Sequence, residues 1–183
     1  MSRKAAAVVE AVKSYRSADG SPRFVRDVTT LSGYRNQYGA QTFIVDATLG
    51  CDLDAFKEYF AQEHDISMPS SCDGLFLWKD PQGNNDKATR LDRDYSGETL
   101  LFVEFKHAPI FKMANGRVDF LHAGQNGGVD GGCYEASIQK KLEDSCIILM
   151  HTTRSDSSGP VLDFKDCKRM NAAFIVFSSG KNR

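Results

Sequence analysis

The run Thr99-Leu-Leu-Phe-Val-Glu-Phe-Lys-His107 constrains this chain more than any other. Apart from Glu104, its first seven residues are large or β-branched, and the run is short, so it reads as a strand buried on both faces rather than as a helix. Two charges sit inside it, Glu104 and Lys106. Side chains two apart on a strand point to the same side of the sheet, which brings a carboxylate and an ammonium together at one strand end. Burying two charges is costly unless they pair, bind metal or face a wet cleft. An exposed ion pair on an edge strand, worth little to stability, is the plainer alternative. Leu101, Val103 and Phe105 on the other face ask instead for a covered, central strand.

With 183 residues, 41% hydrophobic and 26% charged, residues 1–183 suit one soluble globular domain with a core of useful size. No apolar run approaches the roughly 20 residues of a membrane helix, so no membrane partner is expected. Ala5 to Val9 is interrupted too soon by Glu10 and Lys13 to be a signal peptide, and a cytoplasmic protein is expected. Cysteines at 51, 72, 133, 146 and 167 form no CxxC pair and are odd in number, which suits reduced thiols better than disulfides or a zinc cluster. The net charge of −1 argues against a protein that coats nucleic acid, although it leaves room for a local grip. Arg3, Lys4, Lys13, Arg16, Arg23, Arg26 and Arg35 make the start basic, whereas Cys51 to Asp65 carries five acids and one lysine. A phosphate-binding arm beside a metal-binding edge would look like this, and so would ordinary solvated surface.

Along the chain, Arg3 to Arg16 predicts a helix, with Ala6, Val9, Val12 and Tyr15 at three-residue spacing. Phe24 to Thr30 predicts a strand or a short extended piece, Ser32 to Gly39 a loop, and Thr42 to Thr48 a second strand bounded by Gly39 and Gly50. Asp52 is placed to cap a helix running to about His64. Leu53, Phe56 and Phe60 form its stripe, which continues onto Glu63 and His64. Cys72 to Lys79 is the next strand, headed by Asp73. Asp80 to Gly97 is a polar excursion returning to the strand from Thr99. The glycine-rich stretch from Ala108 to Gly132 is a lid or a hairpin. Cys133 to Asp144 predicts the second long helix, with Tyr134, Ile138, Lys141 and Leu142 along one side. Ser145 to His151 then reads as an apolar strand, Asp163 to Met170 as a short helix, and Ala172 to Phe177 as a last strand. The sum is an α/β sandwich with a mixed sheet.

An acid at the head of one strand, Asp73, followed on the next by Glu104-x-Lys106, resembles the PD-(D/E)xK nuclease superfamily of restriction-endonuclease-like proteins. The segments Val103-Glu-Phe-Lys106, Gln139 to Leu149 and Asn171 to Phe177 are similar to an uncharacterised bacterial and phage group within it. The resemblance covers residues 51–180 and implies an αβββαβ core whose mixed central sheet is flanked by helices. Residues 1–50 would then be an N-terminal helical and extended addition. It further implies Mg²⁺ or Mn²⁺ held by Asp73 and Glu104, with Glu63 as a further ligand and Lys106 as the catalytic cation. Lys141, or Gln139, would clamp phosphate. The partner implied is nucleic acid, DNA ahead of RNA, and a homodimer is compatible. The chain has Ser71-Cys72 where the superfamily often carries a proline before the acid.

The chemistry agrees: carboxylates converging at strand ends suit hard cations that keep several waters, and a lysine beside them can orient water or neutralise charge on phosphate. Other readings stay open at single residues. Asp73-Gly74 could be a plain turn, Glu63 could be solvated at a helix end, and Lys141 could snorkel, leaving Lys140 as good a candidate. A non-catalytic nucleic-acid-binding or protein-interaction module could keep the fold without the chemistry. His64, His107, His122 and His151 have no zinc-ligand spacing. Cys72 with His107 as a thiol nucleophile and base is a third possibility, against which stands the commoner role of cysteine as a small buried hydrophobe.

Overall fold

The computed structural model describes residues 4–36, 39–42, 44–79, 98–106, 111–114, 117–120, 134–152 and 172–178. The alanine- and valine-rich start forms helix α1 (Lys4–Lys13), whose Ala5, Val8, Val9 and Val12 make one buried stripe. Strand β1 (Val25–Asp27) runs into a single helical turn, α2 (Val28–Leu31), capped by the Asp27 carboxylate, which accepts the Thr30 amide at 2.7 Å. Strands β2 (Gly33–Asn36) and β3 (Gly39–Thr42) pair as a small antiparallel ribbon. Strand β4 (Leu49–Asp52) leads directly into α3 (Leu53–His64), where Asp52 caps the helix by accepting the Ala55 amide at 2.9 Å. Then follow β5 (Gly74–Lys79), β6 (Glu98–Lys106), a second ribbon of β7 (Phe111–Ala114) and β8 (Arg117–Phe120), helix α4 (Tyr134–His151) and strand β9 (Ala172–Ser178).

The Thr99 run becomes β6, which has a neighbour on each side. A five-stranded mixed sheet runs β1-β4-β5-β6-β9, antiparallel throughout except for the parallel β6–β9 pair. Leu75 is paired with Phe102, so both point to one face. There, with Leu100, they join a core that takes in Val8 and Val12 of α1, Leu53 and Phe56 of α3, and Ile148 and Leu149 of α4. Phe24 and α1 belong to this same core, so the first 50 residues supply a helix and an edge strand to it rather than lying beside it. On the opposite face the Phe76 ring lies over the backbone at Gly50 and Gly74, where an added Cβ would overlap it.

Four expectations shift. The strand expected over 24–30 is β1 at 25–27 only, because Asp27 caps the helical turn α2 that takes up 28–31. The second strand is β4 at 49–52, not 42–48, and Gly50 lies inside it instead of ending the run before it. Residues 44–48 are occupied otherwise: the Asp46 carboxylate accepts the Thr48 amide at 2.7 Å, and the carbonyls of Asp46 and Thr48 hold the amides of Thr29 and Val28. The loop expected at 32–39 is largely the β2–β3 ribbon. Finally, Ser145 to His151 is no strand but the second half of α4, whose Ile148 and Leu149 are buried while Ile147 is 50% exposed. The excursion at 80–97 and the short helix expected at 163–170 lie outside the described residues. Among the described residues no helix is long and apolar enough to cross a membrane.

Candidate active site

Asp73 immediately precedes β5. The β5–β6 register pairs Gly74 with Val103, and one further step places Asp73 opposite Glu104, on the same side of the sheet. The Asp73 carboxylate accepts the Phe105 amide at 2.6 Å, which fixes it against the strand that carries Glu104. Burial, then the charge of Glu104, raise its pKa from 3.8 to about 7, against the lowering effects of the Phe105 amide and Lys141.

Glu104 is 1% exposed. Its Oε1 meets two ammonium groups, Lys106 Nζ at 2.5 Å and Lys141 Nζ at 2.6 Å. Its Oε2 is buried and has no hydrogen-bond partner among the described residues. Lys106 reaches Glu104 along its own strand, two residues on, whereas Lys141 comes down from α4. Burial acts to lower the Lys141 pKa, but the charge and hydrogen bond of Glu104, with Asp73 and Asp54, carry it above its ordinary value. Lys141 is therefore a fixed cation at the site. Lys140 instead pairs with Asp144 at 64% exposure, and Gln139 donates to Glu143, so neither neighbour competes for the role.

Glu63 does not join this group. It is exposed, and its charge acts on Tyr15. The apolar stripe of α3 stops at Phe60 and Ala61, so extrapolating it to Glu63 ran past the end of the core. The acid that α3 does bring is Asp54, in its first turn, whose charge acts on both Asp73 and Lys141. Asp54 Oδ1 accepts from Ser71 Oγ and Lys57 Nζ, each at 2.6 Å. Those bonds and the two lysine charges outweigh its burial and hold its pKa below the ordinary value. Glu63 lies nine residues further along, about 13 Å at 1.5 Å per residue. An acid in a first helical turn reads as a partner for the helix dipole, which concealed Asp54. The signal that exposes it is the β4–β5 register: Asp52 pairs with Gly74, which sets the start of α3 beside Asp73.

No family model, curated protein or solved structure matches this chain. Among the described residues no group of three or more His, Cys, Asp and Glu side chains is placed to hold a metal. Two carboxylates, with water completing the shell, still suit Mg²⁺ or Mn²⁺. The unpartnered Oε2 of Glu104 fits this, because a buried carboxylate oxygen without a donor is costly unless a cation or water meets it. A thiol mechanism fits poorly: Cys72 is buried, and burial pushes its thiol up to about 12. Its proposed base, His107, lies outside the described residues.

Proposed function

We propose that this chain is a metal-dependent phosphodiesterase with a restriction-endonuclease-like core, hydrolysing nucleic acid, DNA ahead of RNA. In the sheet β4, β5 and β6 lie side by side and antiparallel, with α3 joining β4 to β5 along the chain, and α4 precedes the parallel β9; this arrangement supports that core. The observation that carries the function is Glu104: a buried carboxylate beside Asp73, with two lysines on one oxygen and the other oxygen left without a donor. Asp73 and Glu104 would hold Mg²⁺ or Mn²⁺, which when bound supplies a Lewis acid that polarises the scissile phosphate and acidifies nearby water. Lys106, a quarter exposed, orients the attacking water and balances charge gathering on the phosphate oxygens. Lys141 fixes Glu104 and faces the same phosphate. Water oxygen bonds to phosphorus and gives up a proton to solvent, while the P–O ester bond to the departing sugar oxygen breaks and that oxygen, taking the bonding pair, is protonated from solvent to a hydroxyl.

Plasmid and single-stranded DNA incubated with Mg²⁺ or Mn²⁺ test this. Cleavage by the wild type should fall by about 10²-fold or more in Glu104→Ala and in Lys106→Ala. Activity that survives both substitutions removes the reading. One observation favours a second reading, a non-catalytic nucleic-acid-binding module: the two ammonium groups already neutralise Glu104 without any cation. That module would bind DNA equally well in a chelator and cut nothing.

A further inference from the structure

The residues leading into Asp73 are each tied to a helix. The Ser70 amide donates to Asp144 Oδ2 at 2.9 Å, Ser71 Oγ to Asp54 Oδ1 at 2.6 Å, and the Cys72 amide to Ser145 Oγ at 3.0 Å. The Asp73 carbonyl then accepts the Leu53 amide at 3.2 Å. Two of the four anchors come from the adjacent pair Asp144-Ser145 on α4. These stand three and four residues after Lys141, and so share its face of the helix. Ser145 is 1% exposed, and Lys140 Nζ holds Asp144 Oδ2 at 2.6 Å. The next turn of that face is Ile148 and Leu149, both in the core, which fixes how far α4 can slide. Cys72 matters here for its backbone: a proline at this position would have no amide for Ser145 to accept.

We propose that Asp144 and Ser145 are positioning residues, which lock residues 70–72 to α4 so that one helix face sets both Lys141 on Glu104 and Asp73 opposite Glu104. The inference rests on the reading of Asp73 and Glu104 as the metal-holding pair for its consequence, but not for its geometry. A displacement of about 1 Å at such a pair is already costly to its chemistry. Neither residue touches the reacting atoms; each acts through the backbone before Asp73.

The test uses the full chain with Asp144→Ala combined with Ser145→Ala, and Asp144→Asn as the conservative variant, whose side-chain oxygen can still accept the Ser70 amide. Two readouts are taken: hydrogen exchange at the Phe105 amide, which reports the Asp73 contact, and Mn²⁺ affinity by calorimetry. In the double variant the Phe105 amide should exchange at least tenfold faster while the Leu101 amide keeps its protection, and Mn²⁺ should bind at least tenfold more weakly. Asp144→Asn should stay near wild type in both. Unchanged exchange at Phe105 overturns the proposal, as does a uniform loss of protection along β6, which would mark a merely structural role. If the wild type binds no Mn²⁺, the functional reading fails by itself, and the exchange at Phe105 still decides the positioning.

Discussion

Glu104 is 1% exposed, and two ammonium groups share one of its oxygens. Removing the carboxylate while leaving Lys106 and Lys141 in place uncouples two cations in a partly buried site. Glu104→Gln is therefore expected to lower unfolding stability by about 3 kcal/mol, and urea denaturation at neutral pH measures it. Lys106→Met should cost clearly less, because Lys141 still pairs with Glu104. Asp73 carries the opposite imbalance. Its folded pKa of about 7 stands above the 3.8 of an unperturbed carboxyl. Its contribution to stability is thus fully present below about pH 4 and is lost as pH rises through 7, at most about 4 kcal/mol in all. Asp73→Asn, neutral at every pH, should match wild type near pH 4 and exceed it at pH 8. Equal pH dependence of the two proteins in urea melts would show that Asp73 is not held as described. Asp73, Glu104 and Lys106 were legible as neighbours because strand alternation and the succession of strands are local facts, and Lys141 because helical spacing puts it on the stripe of Ile138 and Leu142. Asp54 was not, because its neighbours come from a register between strands that no local pattern encodes.

At the scale of elements, the strands flanking the site were legible wherever a polar break bounds an apolar run, as at Asp73 and Thr99. Two elements were misread for identifiable reasons. Asp144-Ser145 looks like a boundary between helix and strand, yet it contains no glycine or proline to stop α4. The apolar run beyond it satisfies helix and strand alike until Ile148 and Leu149 have the core to pack on. Gly50 looks like a terminator, because glycine is depleted in strands and enriched at their bounds. Its real role is to let the Phe76 ring lie across the sheet. Gly50→Ala should accordingly destabilise the protein by about 1–3 kcal/mol, the range for overpacking a filled space. Phe76→Leu, which takes away the ring, should cancel part of that cost. The coupling in a double-mutant cycle of thermal melts measures it, and additive effects of the two substitutions would place the ring elsewhere.

Over the whole molecule, α1, α3 and α4 share one core with the strands, so the rim that holds Asp73 and Glu104 is braced by elements from distant parts of the sequence. Such a site links cation binding to global stability. Under the proposed function, a cation that binds only the folded chain at 100 times its dissociation constant adds about 2.7 kcal/mol. For a domain of this size that amounts to about 5–10 °C in melting temperature. Asp73 must be ionised to accept it, and with a pKa of about 7 the carboxylate is largely present at pH 8 and only about a tenth present at pH 6. Apparent affinity at fixed Mn²⁺ should therefore fall about tenfold between pH 8 and pH 6, reducing the stabilisation by about 1.4 kcal/mol. The sign is distinctive: without cation the Asp73 contribution falls as pH rises, whereas the increment from Mn²⁺ grows over the same interval. Thermal melts with and without Mn²⁺ at pH 6 and pH 8 read both trends. Asp73→Asn should abolish the pH dependence of the Mn²⁺ increment along with most of the increment itself. An increment equal at both pH values, or retained in Asp73→Asn, would place the cation away from Asp73 and remove the metal from this rim.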